Sequence, residues 1–268
     1  MSNCLLKLYD MKVTVCELSD NELHFVEDWN KLKTHLQTYK PNLLLLPEMP
    51  FCKWIATEKV VNESTKTQSV KKHEKWMREI EQLKVTYTIY SKPVIKGDQF
   101  FNTAFVYEKG VGHHEIHSKC FFPEEDHFWE ETWYDPDPHK AFDLLDIGGI
   151  RIGVLLCTEM WFTQYAREYG KHGIDILLCP RATGLASVSQ WTRCGQTLAI
   201  ISGAYCLSSN RSGNGDNGFQ WGGNGLIATP VTGNLSGVTS AGEKFITRDI
   251  DVLKSREAKN KYPLYVNA

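Results

Sequence analysis

Apolar positions along this 268-residue chain fall into two alternating rhythms. KVTVCEL (12–18) alternates residue by residue and predicts a first strand. Asn21 to Tyr39 then carries Leu23, Val26, Trp29, Leu32, Leu36 and Tyr39 at spacings of three or four, which predicts an amphipathic helix lying on a sheet. PNLLLLPEMPF (41–51) is a wholly apolar strand cut off by Pro47, the pattern of a strand covered on both faces. A second helix is expected over Thr67–Leu83, with Val70, Trp76, Met77, Ile80 and Leu83 on one side. VTYTIYSKPV, FFNTAFVYEKG and HHEIHSK read as consecutive strands joined by turns at Gly97-Asp98 and Gly110.

The second half repeats the alternation. RIGVLLC (151–157) predicts a strand ending on Cys157, followed by a helix over Thr163–Lys171. IDILLCP is a strand closed by Pro180, a helix spans Ser187–Ile201, and AYCLSSNR is a further strand. The glycine- and asparagine-rich stretch from Ser212 to Asn234 is expected to be turns around one short strand, Leu226–Ala228, before KFITRDID closes the sheet. With no internal repeat, low-complexity tract or linker, the pattern predicts one α/β domain over residues 1–268.

Composition narrows the function classes. A hydrophobic fraction of 42% with 23% charged residues is ordinary for a globular protein. A net charge of -2 argues against nucleic acid or an anionic membrane as the main partner. The opening segment lacks the charged and long apolar regions of a signal peptide, and no apolar run approaches the ~20 residues of a membrane span. The eight cysteines (Cys4, Cys16, Cys52, Cys120, Cys157, Cys179, Cys194, Cys206) include no CxxC pair and no zinc spacing. Reduced thiols in a cytoplasmic protein are therefore expected rather than a disulfide framework.

Three residues stand at strand ends. Cys157 closes RIGVLLC, Glu48 follows LLLLP, and Lys119 ends HHEIHSK. Singly each has a plain role: a core-filling cysteine, a capping carboxylate, a solvated lysine. Together they suit nucleophilic chemistry, because ligands in open α/β sheets bind beyond the carboxyl ends of strands. A cysteine nucleophile needs either a lowered pKa, which a neighbouring cation supplies, or a base, which a carboxylate supplies.

LLLLPEMPF, HSKCFFPEEDHFWEETWYDP and RIGVLLCTEMWF resemble, in order and spacing, the three catalytic segments of the nitrilase, or carbon–nitrogen hydrolase, superfamily. DILLCPRATG, Trp191, CLSSNRSG and GGNGLIATPVTGN follow that family's later order. The resemblance implies an α-β-β-α sandwich per chain, a four-layer order on dimerisation through helices near the site, and a Glu48–Lys119–Cys157 triad. It implies that Glu48 takes the thiol proton and Cys157 attacks a carbonyl or nitrile carbon. Lys119 and the Thr158 backbone N–H would stabilise the developing negative charge. No metal or organic cofactor is implied. A second glutamate often holds the lysine in this family. Among Glu124, Glu125, Asp126, Glu130 and Glu131, Glu130 inside FWEETWY matches it, with Glu124 and Glu125 left as a solvated acidic turn.

Thr158, Trp129, Trp133, Trp161 and Arg181 are the substrate-contact candidates on the same resemblance. The aromatics around the catalytic segments (Phe51, Trp54, Phe128 and Phe162 besides those tryptophans) ordinarily pack a core; the alternative is an aromatic-lined pocket for an apolar or cationic substrate. The chain departs from the amidase pattern at CTEMWFTQY, which lacks the arginine and FPE of many members, and at Ile201-Ser202, where Glu-Asn would fall. Cys157-Thr158-Glu159 is similar to the Cys-Trp-Glu of nitrilases. Hydrolysis of a small amide or carbamoyl compound, hydrolysis of a nitrile, and a non-catalytic binding protein on the same fold are the three functions these residues allow.

Overall fold

A computed structural model describes residues 10–139, 141–215 and 218–266 of the protein. Cys4 and the opening segment lie outside the described residues. The strands are β1 (Asp10–Ser19), β2 (Leu43–Leu45), β3 (Tyr87–Lys96), β4 (Gln99–Glu108), β5 (Gly112–Ser118), β6 (Glu124–Glu125), β7 (Phe128–Trp129), β8 (Leu145–Ile147), β9 (Ile150–Val154), β10 (Ile176–Pro180), β11 (Tyr205–Asn214), β12 (Gln220–Gly222), β13 (Leu226–Ala228), β14 (Leu235–Val238) and β15 (Phe245–Asp251). The helices are α1 (Glu22–Tyr39), α2 (Glu63–Glu81), α3 (Glu130–Trp133), α4 (Thr163–Lys171), α5 (Val188–Ser202) and α6 (Val252–Ala258).

Two sheets face each other, one running β5-β4-β3-β2-β1 with β15 against β1, the other carrying β8 to β11 with β13 and β14. They are stitched where the end of β1 runs parallel to β11, Glu17–Ser19 beside Asn210–Ser212. Strand periodicity sorts side chains into three apolar layers. Leu43 and Leu45, Ile152 and Val154, and Ile176 and Leu178 meet between the sheets. Leu44 and Leu46 turn the other way, onto Phe25, Trp29, Leu32 and Leu36 of α1 and Ile80 of α2. Leu155, Leu177 and Cys179 turn onto Leu198 and Ala199 of α5 and Tyr169 of α4. The result is the expected α-β-β-α sandwich. The unbroken Leu43–Leu46 run follows from it, since both faces are covered and each buried leucine contributes roughly 1.5–3 kcal/mol.

Several expected boundaries move. In α1, Leu23 is 79% exposed and Val26 and Tyr39 are about half exposed, because the true apolar stripe is Phe25-Trp29-Leu32-Leu36. The acid within that stripe, Asp28, is buried by accepting from Lys244 Nζ at 2.7 Å and Ser19 N at 3.0 Å. Helix α2 starts a turn before Thr67, where Asn62 accepts from Thr65 N at 3.1 Å and caps it. The glycine-rich stretch and its flank hold β12 and β14 as well as β13; they are too short and polar to show alternation, and pairing with β11 and β13 orders them. The strand read as ending on Cys157 ends as β9 at Val154, although Leu155 N still bonds Leu178 O at 3.0 Å.

Candidate active site

Cys157 opens a short 3-10 turn, Cys157–Trp161, with φ of +47°. A non-glycine residue in this left-handed region stores roughly 1–2 kcal/mol of strain, which the surrounding structure must hold. Three features hold it. Gly153 of β9 has no Cβ, so the Tyr169 ring lies where one would stand, 2.8 Å from its ideal position, and Tyr169 Oη donates to Val154 O at 3.2 Å. Glu159 accepts from Leu156 N at 2.8 Å and closes the turn. The Cys157 thiol itself points to Ala182 O, 3.8 Å away just beyond β10.

The ends of β2 and β5 bring up the charged groups. Lys119 Nζ donates to Glu48 Oε1 at 2.8 Å and to Glu130 Oε2 at 2.6 Å, and all three side chains are buried. Glu130 reaches Lys119 from α3, whose start is set by Glu130 N bonding Pro123 O at 3.1 Å. Asn102 on β4 donates from Nδ2 to Glu48 Oε1 at 2.7 Å and accepts Lys119 N on its backbone oxygen at 2.8 Å. Glu48 Oε2 and Glu130 Oε1 are buried with no hydrogen-bond partner among the described residues.

Burial alone pulls Lys119 down, but Glu130 and then Glu48 overcome it and hold the ammonium above its ordinary value. Burial pushes Glu130 up to about 7, with Lys119 pulling it down and Glu48 pushing it further up. The two shifts conflict if taken singly, since a protonated Glu130 would not raise Lys119. Geometry decides for a charged Lys119: one ammonium faces two buried carboxylates, and Glu48 adds to the burial that raises Glu130. Burial also pushes the Cys157 thiol well up, Glu48 adds to this, and Lys119 opposes it without winning. Desolvation outweighs the cation, so of the two routes to a reactive sulfur the geometry favours the base.

A cavity of about 70 Å³ opens on Cys157 and is lined by Pro123, Glu125, Phe128, Glu130, Thr158 and Trp191 among others. Of the substrate-contact candidates, Thr158 lines this cavity. Four other substrate-contact candidates do not line it. Arg181 is fully buried and spends its guanidinium on Ser208 Oγ (2.6 Å), Thr183 Oγ1 (3.3 Å) and Asn224 O (2.7 Å), fixing the turn after β10. Trp133 is core, donating to Glu58 O at 2.7 Å. Trp129 lies under the Lys59 ammonium, 4.9 Å from the ring centroid. Trp161 is half exposed and leans on Trp191, which faces the cavity in its place. Phe51 and Trp54 belong to apolar clusters. Glu124, read as a solvated acid, accepts from Thr132 N at 3.1 Å and Oγ1 at 2.5 Å and so caps α3, whereas exposed Glu125 lines the cavity mouth.

Two positioning residues escaped the sequence reading. Asn102 had a signal, a lone amide inside an apolar strand. Arg211 is buried between the rings of Trp54 and Trp221 and donates to the backbone oxygens of Glu48 (3.1 Å), Met49 and Cys52 (3.0 Å) and to Asp20. It fixes the Glu48–Pro50 bend, where Met49 has φ of +44°. Among the described residues one cluster unites metal-ligating types, His117, Cys120 and Glu159, all buried. Both Glu159 oxygens and both His117 nitrogens are already committed: Cys120 N to Oε1 at 2.7 Å, His117 Nε2 to Oε2 at 2.7 Å, and His117 Nδ1 to Ala141 O at 2.9 Å. That cluster is a hydrogen-bond network.

The fold and this arrangement of residues define a class, and the chain belongs to it: residues 12–260 match the carbon–nitrogen hydrolase family. An N-carbamoylputrescine amidase of Solanum tuberosum is 28% identical over 160 residues, covering 53% of this chain and 52% of that protein. A citrullinase of Francisella tularensis is 24% identical, covering 75% of this chain and 74% of its own. The nitrilase homolog 2 of Dictyostelium discoideum is 25% identical over 62% of this chain and 52% of its own, so the matched region spans about half the length of several curated relatives. In fold, a carbon–nitrogen hydrolase from Helicobacter pylori superposes with a TM-score of 0.83 at 19% identity, covering 95% of this chain and 94% of that one. The amidase of Nesterenkonia sp. AN1, solved with an acetamide moiety added covalently to its active-site cysteine, gives 0.76 at 16% identity, covering 92% of each.

Proposed function

We propose that this protein hydrolyses the carbon–nitrogen bond of a small amide or carbamoyl compound through a Cys157 thioester. The observation that carries the reading is a fully buried ammonium, Lys119, clamped by two carboxylates beside a strained cysteine that lines a cavity. Burying such charges costs several kcal/mol each, and where buried Arg181 and Arg211 spend theirs on backbone oxygens of the fold, Lys119 is aimed by two carboxylates beside an open cavity.

In this reading Glu48 Oε2, with no hydrogen-bond partner among the described residues, takes the Cys157 proton as the sulfur attacks the carbonyl carbon. The raised thiol pKa makes that base necessary. Charge gathers on the carbonyl oxygen, where the Lys119 ammonium and the Thr158 N–H stabilise it. Glu48 then returns the proton to the departing ammonia or amine, and next activates water to cleave the thioester. Glu130 keeps Lys119 aimed. The activities for which the amidase and citrullinase relatives are named favour amide and carbamoyl substrates over nitriles, and no metal or organic cofactor takes part in this scheme.

The proposal extends to a single catalytic domain working as a homodimer in the cytoplasm. Half-exposed Trp161 and Leu185 flank α5 on a face able to meet a second copy, and Cys16, Cys52, Cys157, Cys179, Cys194 and Cys206 are buried thiols outside any disulfide. Light scattering tests the assembly. Ammonia release across a panel of small amides, carbamoyl compounds and nitriles, with Cys157→Ala as control, tests the activity. Turnover of amides that disappears in the variant supports it; a panel silent throughout, or turnover that survives Cys157→Ala, overturns it.

A further inference from the structure

Between the Lys119 strand end and the Cys157 turn lies one buried carboxylate that touches both. Glu159 Oε1 accepts from Cys120 N, the residue after Lys119, at 2.7 Å, and Oε2 accepts from Leu156 N, the residue before Cys157, at 2.8 Å. His117 Nε2 meets Oε2 at 2.7 Å from β5, two residues before Lys119. The other ring nitrogen, Nδ1, faces Ala141 O at 2.9 Å. A carbonyl oxygen only accepts, so Nδ1 carries a hydrogen. The Glu159 carboxylate accepts as well, which makes the pair a doubly donating imidazolium against a carboxylate. In keeping with this, burial alone would lower His117, but Glu159 outweighs it and the net direction is upward.

We propose that Glu159 and His117 are positioning residues that fix the Lys119 ammonium relative to the Cys157 sulfur. The oxyanion donor and the nucleophile come from different sheets, so their mutual placement is not set by either backbone ladder. Glu159 supplies the missing tie with one rigid group, bonded to the neighbour of each, and His117 holds its orientation from the Lys119 side. A misplacement of about 1 Å between reacting groups costs roughly a hundredfold in rate, so a tie of this kind is felt in turnover before it is felt in binding. This inference rests on the reading of Glu48, Lys119 and Cys157 as the catalytic set.

The test compares the full-length protein with Glu159→Gln, His117→Gln and the double variant. Four quantities are followed: melting temperature, kcat and KM on the best amide of the panel, and the rate at which iodoacetamide alkylates Cys157 at neutral pH. A glutamine at 159 must turn its amide nitrogen toward one of the backbone donors, so one tie is lost in either orientation. Expected for folded Glu159→Gln is a kcat lower by about tenfold to a hundredfold with KM little changed, and Cys157 alkylation slowed by about tenfold. The double variant is expected to be no worse than Glu159→Gln alone, since His117 acts through Glu159. Turnover and alkylation within about twofold of wild type overturn the proposal, as does faster alkylation, which signals loosened packing rather than lost alignment. Should Glu159→Gln not fold, His117→Gln, which leaves both backbone ties in place, is judged by the same two rates with a threefold or larger loss expected, on the order of 0.6 kcal/mol. A wild type without turnover on the whole panel defeats the catalytic reading, while the alkylation rates still decide the positioning role.

Discussion

Lys119 and Glu130 meet at 2.6 Å with neither side chain more than 1% exposed. An ammonium in that setting has no water to fall back on, so its aim depends on its carboxylate partners. Glu130→Gln is expected to lower turnover at least about tenfold, 1.4 kcal/mol of barrier, because a neutral amide holds the ammonium less firmly. Glu124→Gln and Glu125→Gln should cost little, the first because an amide oxygen still caps Thr132, the second because Glu125 is exposed. A silent Glu130 beside a crippled Glu125 in the same assay would show that the wrong carboxylate had been chosen.

The same glutamate makes stability depend on pH. Burial raises Glu130 from an ordinary 4.5 to about 7, so the folded state holds a proton that the unfolded chain has released. Its contribution is fully present below 4.5 and lost as pH rises through about 7. Relative to wild type, Glu130→Gln should therefore gain stability between pH 5 and 8, measured as the shift of urea midpoints at the two values. A difference that is flat or runs the other way removes Glu130 as the titrating group.

Cys157→Ala and Cys157→Ser should abolish hydrolysis and leave the fold intact, since the thiol fills little volume and its one hydrogen bond is long. Iodoacetamide should reach Cys157 before the other described cysteines. Burial pushes Cys157 up as it does Cys16, Cys179 and Cys194, but Cys157 opens on a cavity, whereas those three pack inside apolar clusters. Peptide mapping that finds Cys194 labelled first with activity retained would sink the assignment.

Lys119→Arg keeps the charge and should still be nearly inactive. The Lys119 site offers a compact pocket between Glu48, Glu130 and the Phe122 ring, 5.5 Å from Nζ, and a planar guanidinium cannot place one donor there without displacing the others. Retention of more than about a tenth of wild-type turnover, a loss under roughly 1.4 kcal/mol, rules out a direct role on the developing oxyanion.

Arg211→Lys should destabilise the protein and disturb the Glu48 bend together. Lysine has one charged nitrogen for contacts that now span Glu48, Met49, Cys52 and Asp20, so buried carbonyl groups lose their donor. Leaving a buried charge partly unpaired costs roughly 3–5 kcal/mol, readable in the denaturant midpoint, and a midpoint shift near zero would contradict the role given to Arg211.

Sequence made the layers legible because period-2 runs such as Leu43–Leu46 and Ile152–Cys157 report which faces are covered. Glu48, Lys119 and Cys157 were legible as strand-end residues and through the family resemblance. The cavity wall was not. Trp161 and Trp191 are indistinguishable as letters, and which of them faces the site depends on how α5 docks, a long-range outcome. Arg181 shows the converse problem: it reads as a substrate-binding charge, yet it is buried on Ser208, Thr183 and the Asn224 carbonyl, just as Arg211, which carried no sequence signal, is buried where carbonyl oxygens from a distant segment converge on it. Expected apolar positions Leu23 and Val26 failed for a simpler reason, since a helical stripe tolerates apolar residues beside it.

The stitch between β1 and β11 has a kinetic side. Strand β1 pairs with Leu43–Leu45 nearby, but also with Asn210–Ser212 and with Phe245–Asp251. As the chain leaves the ribosome, β1 must wait for partners made some two hundred residues later, with Val13 and Val15 uncovered meanwhile. Such distant pairings slow folding and leave an open edge prone to association. Newly made molecules of this protein should therefore lean on chaperones until β15 emerges, and truncations before residue 245 should aggregate rather than hold half a site.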